Sequence, residues 1–290
     1  MREIRIGNNE KGQRLDKLLA KYMPEAGKNF IYKMLRKKNI TLNDHKAGGN
    51  EILIDGDSVK LWLSEDTIET FVGRRTKVYD DVKSLDPDRI IFEDDDILIY
   101  DKPAGVLSQK AEANDISIND MFLKYAGGST ETFTPSICNR LDRNTSGLII
   151  CGKTLKGLQE TAEQLKKHDL KKDYLAIVEG KLSYEREIKT EVDGKLLHSI
   201  VKPIAYDGKY TSVMVRIFTG KTHQVRIHLS YIGHPILGDR RYGNGGAKRQ
   251  LLHSYRLTFP DGRVYEAPIP EDFRWELGKP EAFEDLPSKI

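Results

Sequence analysis

Apolar positions change period along the first 64 residues. Leu15, Leu18, Leu19 and Tyr22 recur at i, i+3, i+4 and i+7, the stripe of a short amphipathic helix, and Pro24 and Gly27 end it. Ile31, Met34 and Leu35 mark the buried side of a second helix. Lys33, Arg36 and Lys37 fall at i, i+3 and i+4 on another face of it, three cations placed to meet phosphates. The period then shortens to two. Ile40 to Asn43 predicts one strand, and Ile52-Leu53-Ile54 a second, running into the turn Asp55-Gly56-Asp57. A third follows where Val59, Leu61 and Leu63 alternate with Ser58, Lys60 and Trp62. Residues 1–64 therefore read as a small α+β module.

Residues 65–88 are polar, carry little periodicity and close on Asp86-Pro87-Asp88, so they read as a linker. Residues 89–290 form a second domain, in which apolar runs of strand length alternate with helical patterns. The runs are Ile97–Tyr100, Leu148–Cys151, Tyr174–Val178, Val213–Phe218 and Leu251–Phe259; Leu155, Leu158, Ala162 and Leu165 mark a helix. The predicted class is α+β, a mixed, mainly antiparallel sheet with flanking helices. The tail beyond Trp275 is acidic, contains proline and is expected to be loosely ordered.

Charge sharpens this division. Residues 1–64 hold 13 Lys and Arg against 8 Asp and Glu, whereas the remainder holds 34 against 36. A basic module on a near-neutral body suits a polyanion partner engaged through one end. No apolar run reaches membrane-spanning length and the N-terminus lacks the apolar core of a signal peptide, so a cytoplasmic location is expected. Cys138 and Cys151 fit buried free thiols, not a disulfide framework.

Four segments carry candidate chemistry. In Asn139-Arg140-Leu141-Asp142-Arg143-Asn144-Thr145-Ser146-Gly147, a loop feeding a strand holds an aspartate between two arginines. Flanking guanidinium groups would keep Asp142 ionised, and a positioned carboxylate serves as nucleophile or base. The same pattern would also serve as a structural salt bridge. In Gly220 to Leu229, Thr222 can N-cap a helix running to Ile232, with Val225, Leu229 and Ile232 facing the core. Arg226 then lies half-buried in the first turn and needs an anion, for which Asp142 is a candidate. His223 and His228 are five apart, a spacing that does not align two metal ligands on a helix. Tyr174 opens the strand of Lys172 to Gly180, and Lys102-Pro103-Ala104-Gly105 is a turn set by its proline.

These four segments, in this order, resemble the RluA-type family of pseudouridine synthases. The family's Arg-Leu-Asp-x-x-Thr-Ser-Gly-Leu loop matches Arg140 to Leu148, and its Lys-x-Tyr-x-Ala-x-Val-x-Gly strand matches Lys172 to Gly180. Its Thr-His-Gln segment matches Gly220 to Leu229, and its Lys-Pro-x-Gly turn matches Lys102 to Gly105. Asn139 stands where the family commonly has His, Lys221 replaces Arg, and Asp101 replaces Asn. Residues 13–63 resemble the alpha-L RNA-binding module. The resemblance implies isomerisation of uridine to pseudouridine in large-subunit ribosomal RNA by a monomer of the RluC/RluD branch, read as RluC-like, with no cofactor or metal. Asp142 would be the catalytic carboxylate, Arg226 its guanidinium partner and Tyr174 the residue against the base. Lys33, Arg36, Lys37, Arg140, Arg143, Lys221 and His223 would contact RNA. Two rivals stand: an RNA-binding ribosome-assembly factor without turnover, and a hydrolase pairing Asp142 with Asp101, Asp173 or Asp239.

Overall fold

A computed structural model describes residues 1–273 apart from 8, 73–81, 113, 130–131 and 193. The expected disorder of the tail beyond Trp275 therefore lies outside the described residues.

The N-terminal part contains β1 (Arg2–Arg5), α1 (Leu15–Tyr22), α2 (Lys28–Arg36), β2 (Ile40–Leu42), β3 (His45–Lys46), β4 (Ser58–Leu61) and α3 (Glu65–Val72). Its sheet runs β1-β4-β2-β3, antiparallel at each pairing. Leu15, Leu18, Leu19 and Tyr22 are completely buried and meet Ile31, Met34 and Leu35 of α2 and Val59 and Leu61 of β4 in one core. Each such side chain contributes about 1.5–3 kcal/mol, which is what holds helices of eight or nine residues that are too short to persist alone.

Two expectations are corrected here. Ile52 and Ile54 point to solvent, and the segment makes only an isolated bridge from Ile52 to Arg14; Leu53 alone is buried, so three apolar residues in a row marked an irregular stretch. Residues 65–72, read as linker, form α3: Ile68 is fully buried in the N-terminal core and Phe71 packs on Phe30 with ring centroids 4.4 Å apart. One apolar side chain per turn anchors a helix too polar to show a full stripe.

The larger part contains β5 (Ile90–Glu93), β6 (Ile97–Lys102), α4 (Ile118–Tyr125), β7 (Ser136–Ile137), β8 (Ser146–Gly152), α5 (Leu155–Lys167), β9 (Lys171–Glu179), β10 (Arg186–Val192), β11 (Lys195–Tyr206), β12 (Tyr210–Ile217), α6 (Gln224–Tyr231), β13 (Leu252–Thr258) and β14 (Val264–Glu266). Among the described residues its sheet runs β10-β11-β12-β9-β13-β8-β6-β5, with β7 beside β8 and β14 beside β13. Every pairing is antiparallel except β8 with β13. This is the mixed, mainly antiparallel α+β sheet expected. The side-chain alternation of β9 and β12 splits the core into two layers. Tyr174, Ala176 and Val178 join Val213, Val215 and Ile217 beneath Val225 and Leu229 of α6. Leu175, Ile177 and Met214 face the other way, toward Leu237, Leu251 and Phe273.

Helix α5 starts at Thr154, whose hydroxyl accepts from the Gly157 amide at 3.0 Å. Its buried side is turned from the expected one: Thr161 is buried and Ala162 exposed, because Gly157 packs against the Asp96 carbonyl, where a Cβ would come within 2.1 Å.

Candidate active site

The loop from Asn139 to Thr145 is held from three sides. Ser108 Oγ donates to the Leu141 carbonyl at 2.7 Å and accepts from the Leu141 amide at 2.9 Å. The Ile150 amide donates to Asn139 Oδ1 at 2.7 Å, so the asparagine standing in for a histidine pins the loop to β8. Lys102, wholly buried, donates from Nζ to the carbonyls of Pro103, Val106 and Arg143 at 3.0, 2.8 and 3.1 Å. Burial draws its pKa down to about 7. The Lys-Pro turn thus clamps the aspartate loop. At the loop's end Gly147 has φ +105°, and a Cβ there would sit 2.2 Å from the Ser254 carbonyl oxygen. Only glycine lets β8 approach β13 so closely.

The Asp142 side chain, 23% exposed, faces a cleft of about 960 Å³ that also takes in Tyr174, Lys221, His223 and Arg226. Arg226 Nη1 donates to Asp142 Oδ2 at 2.9 Å. The other oxygen, Oδ1, lies 3.6 Å from His223 Nε2. Gln250 Nε2 approaches Asp142 Oδ2 at 3.4 Å and donates to Thr145 Oγ1 at 2.9 Å. Arg226 is itself fixed from behind: Nε and Nη2 donate to Asp239 at 2.7 and 2.9 Å, and the Asp239 side chain is completely buried. Burial works against the charge on Arg226, but Asp239 and Asp142 together raise its pKa. Burial likewise works against the charge on Asp239, yet Arg226 and the amides of Arg241 and Tyr242 hold its pKa below the usual value. One guanidinium therefore bridges a buried carboxylate that aims it and an accessible one that it serves.

Tyr174 borders the same cleft. Burial pushes its phenol up to about 12, and its side chain bonds with Ser254. Burial also lowers the pKa of His223, against the opposing pull of Asp142. His223 Nδ1 lies 3.1 Å from Tyr242 Oη, and the two rings meet edge to face.

Of the residues singled out in sequence, Asp142, Tyr174, Arg226, Arg140, Arg143, Lys221 and His223 all line this cleft. Arg140 and Arg143 are exposed, and Arg143 Nε donates to the Gly105 carbonyl at 3.3 Å. The cation bonded to Asp142 is therefore Arg226, 84 residues away, and not its sequence neighbours. Thr222 does not cap α6. His223 occupies that position at φ +59° with no side-chain cap, because Gln224 turns back to accept from the Lys221 amide and from Thr219 Oγ1. Such a backbone costs on the order of 1–3 kcal/mol in a non-glycine residue, and here it turns the imidazole toward Asp142. His228 is fully buried between Ser199 Oγ at 2.6 Å and Thr190 Oγ1 at 3.0 Å, so both its nitrogens are taken. Lys33 and Arg36 on α2 and Lys37 just past its end are exposed, without a carboxylate partner within 4 Å among the described residues. They belong to the N-terminal part and not to this cleft.

Sequence reasoning missed Gln250, Tyr242 and the clamping role of Asp239. Asp239 stood out only as a possible second acid of a hydrolase. None shows a period or charge pattern that marks it.

Residues 96–231 match the family model described as RNA pseudouridylate synthase. Over these residues, which hold the aspartate loop, Tyr174 and Arg226, the chain is similar to the RNA pseudouridylate synthase family. Over 93% of its length it is 28% identical to the ribosomal large subunit pseudouridine synthase D of Nitrosomonas europaea, covering 85% of that protein. It is 29% identical to the ribosomal large subunit pseudouridine synthase C of Salmonella typhi over 93% of this chain and 94% of that one. In fold it is similar to human RNA pseudouridylate synthase domain containing 4, with a TM-score of 0.54 and 20% identity over 64% of this chain and 90% of the other. Among the described residues, no helix is long and apolar enough to cross a membrane.

Proposed function

We infer that this protein isomerises uridines to pseudouridine in large-subunit ribosomal RNA, in the cytoplasm, with Asp142 as the reacting carboxylate. The observation that carries the reading is the Asp142–Arg226–Asp239 chain at the floor of an open cleft. The reaction breaks N1–C1′, turns the uracil while it is held, and forms C5–C1′; the proton on C5 leaves and N1 gains one. No atom is added or lost.

Asp142 acts at the ribose, as nucleophile at C1′ or base toward C2′. Arg226, aimed by Asp239, holds its Oδ2, leaving Oδ1 toward His223 and the cleft. Tyr174 flanks the base as a neutral phenol and assists the proton's movement at C5. The uridine must first leave its stack, at a cost of a few kcal/mol. Arg140, Arg143 and Lys221 at the cleft, and Lys33, Arg36 and Lys37 on and just past α2, offset that cost by holding phosphates. The N-terminal part serves as an alpha-L-type RNA-binding module. We retain the RluC-like reading of the target; relatives of both the C and D names support large-subunit RNA as the substrate class.

The hydrolase rival requires a second reachable acid. Asp173 is on the opposite sheet face with Arg216, Asp101 is paired with Arg89 at 2.8 Å, and Asp239 is sealed behind Arg226. The test is carbodiimide primer extension on large-subunit RNA from cells lacking the protein. Wild-type protein should restore the missing pseudouridine stops and Asp142→Asn should not; restoration by Asp142→Asn would end the assignment.

A further inference from the structure

The outer face of the N-terminal sheet carries a feature that the cleft does not explain. In β4, Val59 and Leu61 are buried while Ser58 and Lys60 point outward, and Trp62 continues the outward series with 51% of its surface exposed. Its ring is not loose. The Trp62 amide donates to the Asn39 carbonyl at 2.8 Å, and Nε1 donates to Thr41 Oγ1 at 3.4 Å. Thr41 belongs to the same outward face, since it pairs with Lys60 across β4, yet it is only 6% exposed. The indole lies over it and leaves its other side to solvent.

The charges around this ring are one-sided. Register sets Lys46 opposite Thr41, on the same face. Lys37 and Lys38 directly precede Asn39, to which the Trp62 backbone is bonded. Lys60 is neutralised by Asp44 at 2.7 Å, and Glu3 lies 3.5 Å from Arg5. Lys37, Lys38 and Lys46 have no carboxylate within 4 Å among the described residues. A fixed, half-exposed indole on a sheet face that also carries unneutralised lysines suits an unpaired nucleotide: the base stacks on the ring and the flanking phosphates meet the lysines. We propose that Trp62, with Lys37, Lys38 and Lys46, forms a stacking site for an unpaired nucleobase of the RNA, separate from the catalytic cleft. The proposal rests on RNA being the substrate, and it assigns the sheet's outer face, next to the cationic helix, a role in selecting single-stranded over paired segments.

The chain's two tryptophans are Trp62 and Trp275, so Trp275→Phe leaves an enzyme whose emission reports on Trp62 alone. This full-length protein is titrated with a 12-nucleotide oligouridylate and with a blunt RNA duplex of equal length. Emission should be quenched by the single strand and far less by the duplex. By fluorescence anisotropy, Trp62→Ala should bind labelled oligouridylate about tenfold more weakly, while Trp62→Phe stays within about threefold. Lys46→Gln should lower the slope of log affinity against log salt by about 0.7. Equal quenching by the duplex, or unchanged binding by Trp62→Ala, overturns the proposal. Pseudouridine formation by the unsubstituted enzyme, assayed separately on ribosomal transcripts, judges the Asp142 reading on its own.

Discussion

Asp173 and Tyr174 are neighbours in β9, so their side chains leave opposite faces of the sheet, and each face carries an aspartate bonded to an arginine. On one, Asp173 meets Arg216 through two bonds of 2.6 Å, with side chains 1% and 7% exposed. On the other, Arg226 meets Asp142 through a single bond, and Asp142 keeps 23% of its side chain exposed. The first pair is joined twice and is sealed from solvent. The second is more open: Arg226 spends two of its bonds on Asp239, and Asp142 Oδ1 lies 3.6 Å from His223 at the edge of the cleft. Closely similar chemistry thus buries one carboxylate on one face and leaves another within reach of the cleft on the other, and accessibility is what separates them.

Substitution at the two aspartates should separate these roles most sharply. Asp142→Ala should lower turnover by at least about 10⁴-fold, the scale of losing a residue on which the whole step depends, with RNA affinity nearly unchanged. Its stability should change little, since Arg226 keeps Asp239. Asp173→Ala should do the opposite: urea denaturation should show a loss of about 3–5 kcal/mol from breaking a buried ion pair, while the folded fraction turns over normally. A large activity loss in folded Asp173→Ala protein would break the comparison.

Buried histidines sharpen it by pH. The pKa of His228 is lowered to about 4 by burial, and that of His253 to about 3. An imidazole whose folded pKa lies below its ordinary 6.5 leaves stability whole above that pH. As pH falls the unfolded chain takes the proton first, and stability is lost between about 6.5 and 4. For His228 the loss is about 3 kcal/mol. Urea midpoints across this window should fall steeply for the wild type and less steeply for His228→Asn. Smaller still is Arg226→Lys. An ammonium cannot reproduce the planar fork that bonds Asp239 twice and reaches Asp142 as well, so steady-state kinetics should show kcat down roughly 10²-fold with KM little changed.

Much of this was legible from the chain. Leu15, Leu18, Leu19 and Tyr22 gave α1 because one helix buries one stripe, and β9 and β12 could be read because central strands are apolar almost throughout. Arg226 could be matched to Asp142 because a half-buried guanidinium demands an anion. The identity of its second anion, Asp239, could not: that contact depends on a turn after α6 whose course no local pattern specifies. The hairpin of β10 and β11 also escaped, since Arg186 to Val192 is largely exposed and mixes charged with apolar residues. Helix α3 was hidden for the same reason, with Ile68 its one fully buried side chain.

The central claim is that a single accessible carboxylate moves the glycosidic bond within RNA instead of hydrolysing it. Transcripts of large-subunit RNA carrying labelled uridine, incubated with the purified enzyme and digested to nucleosides, test this directly. The account predicts that label leaves uridine for pseudouridine with chain mass unchanged and no free uracil. Release of uracil with abasic sites left in the RNA would contradict it.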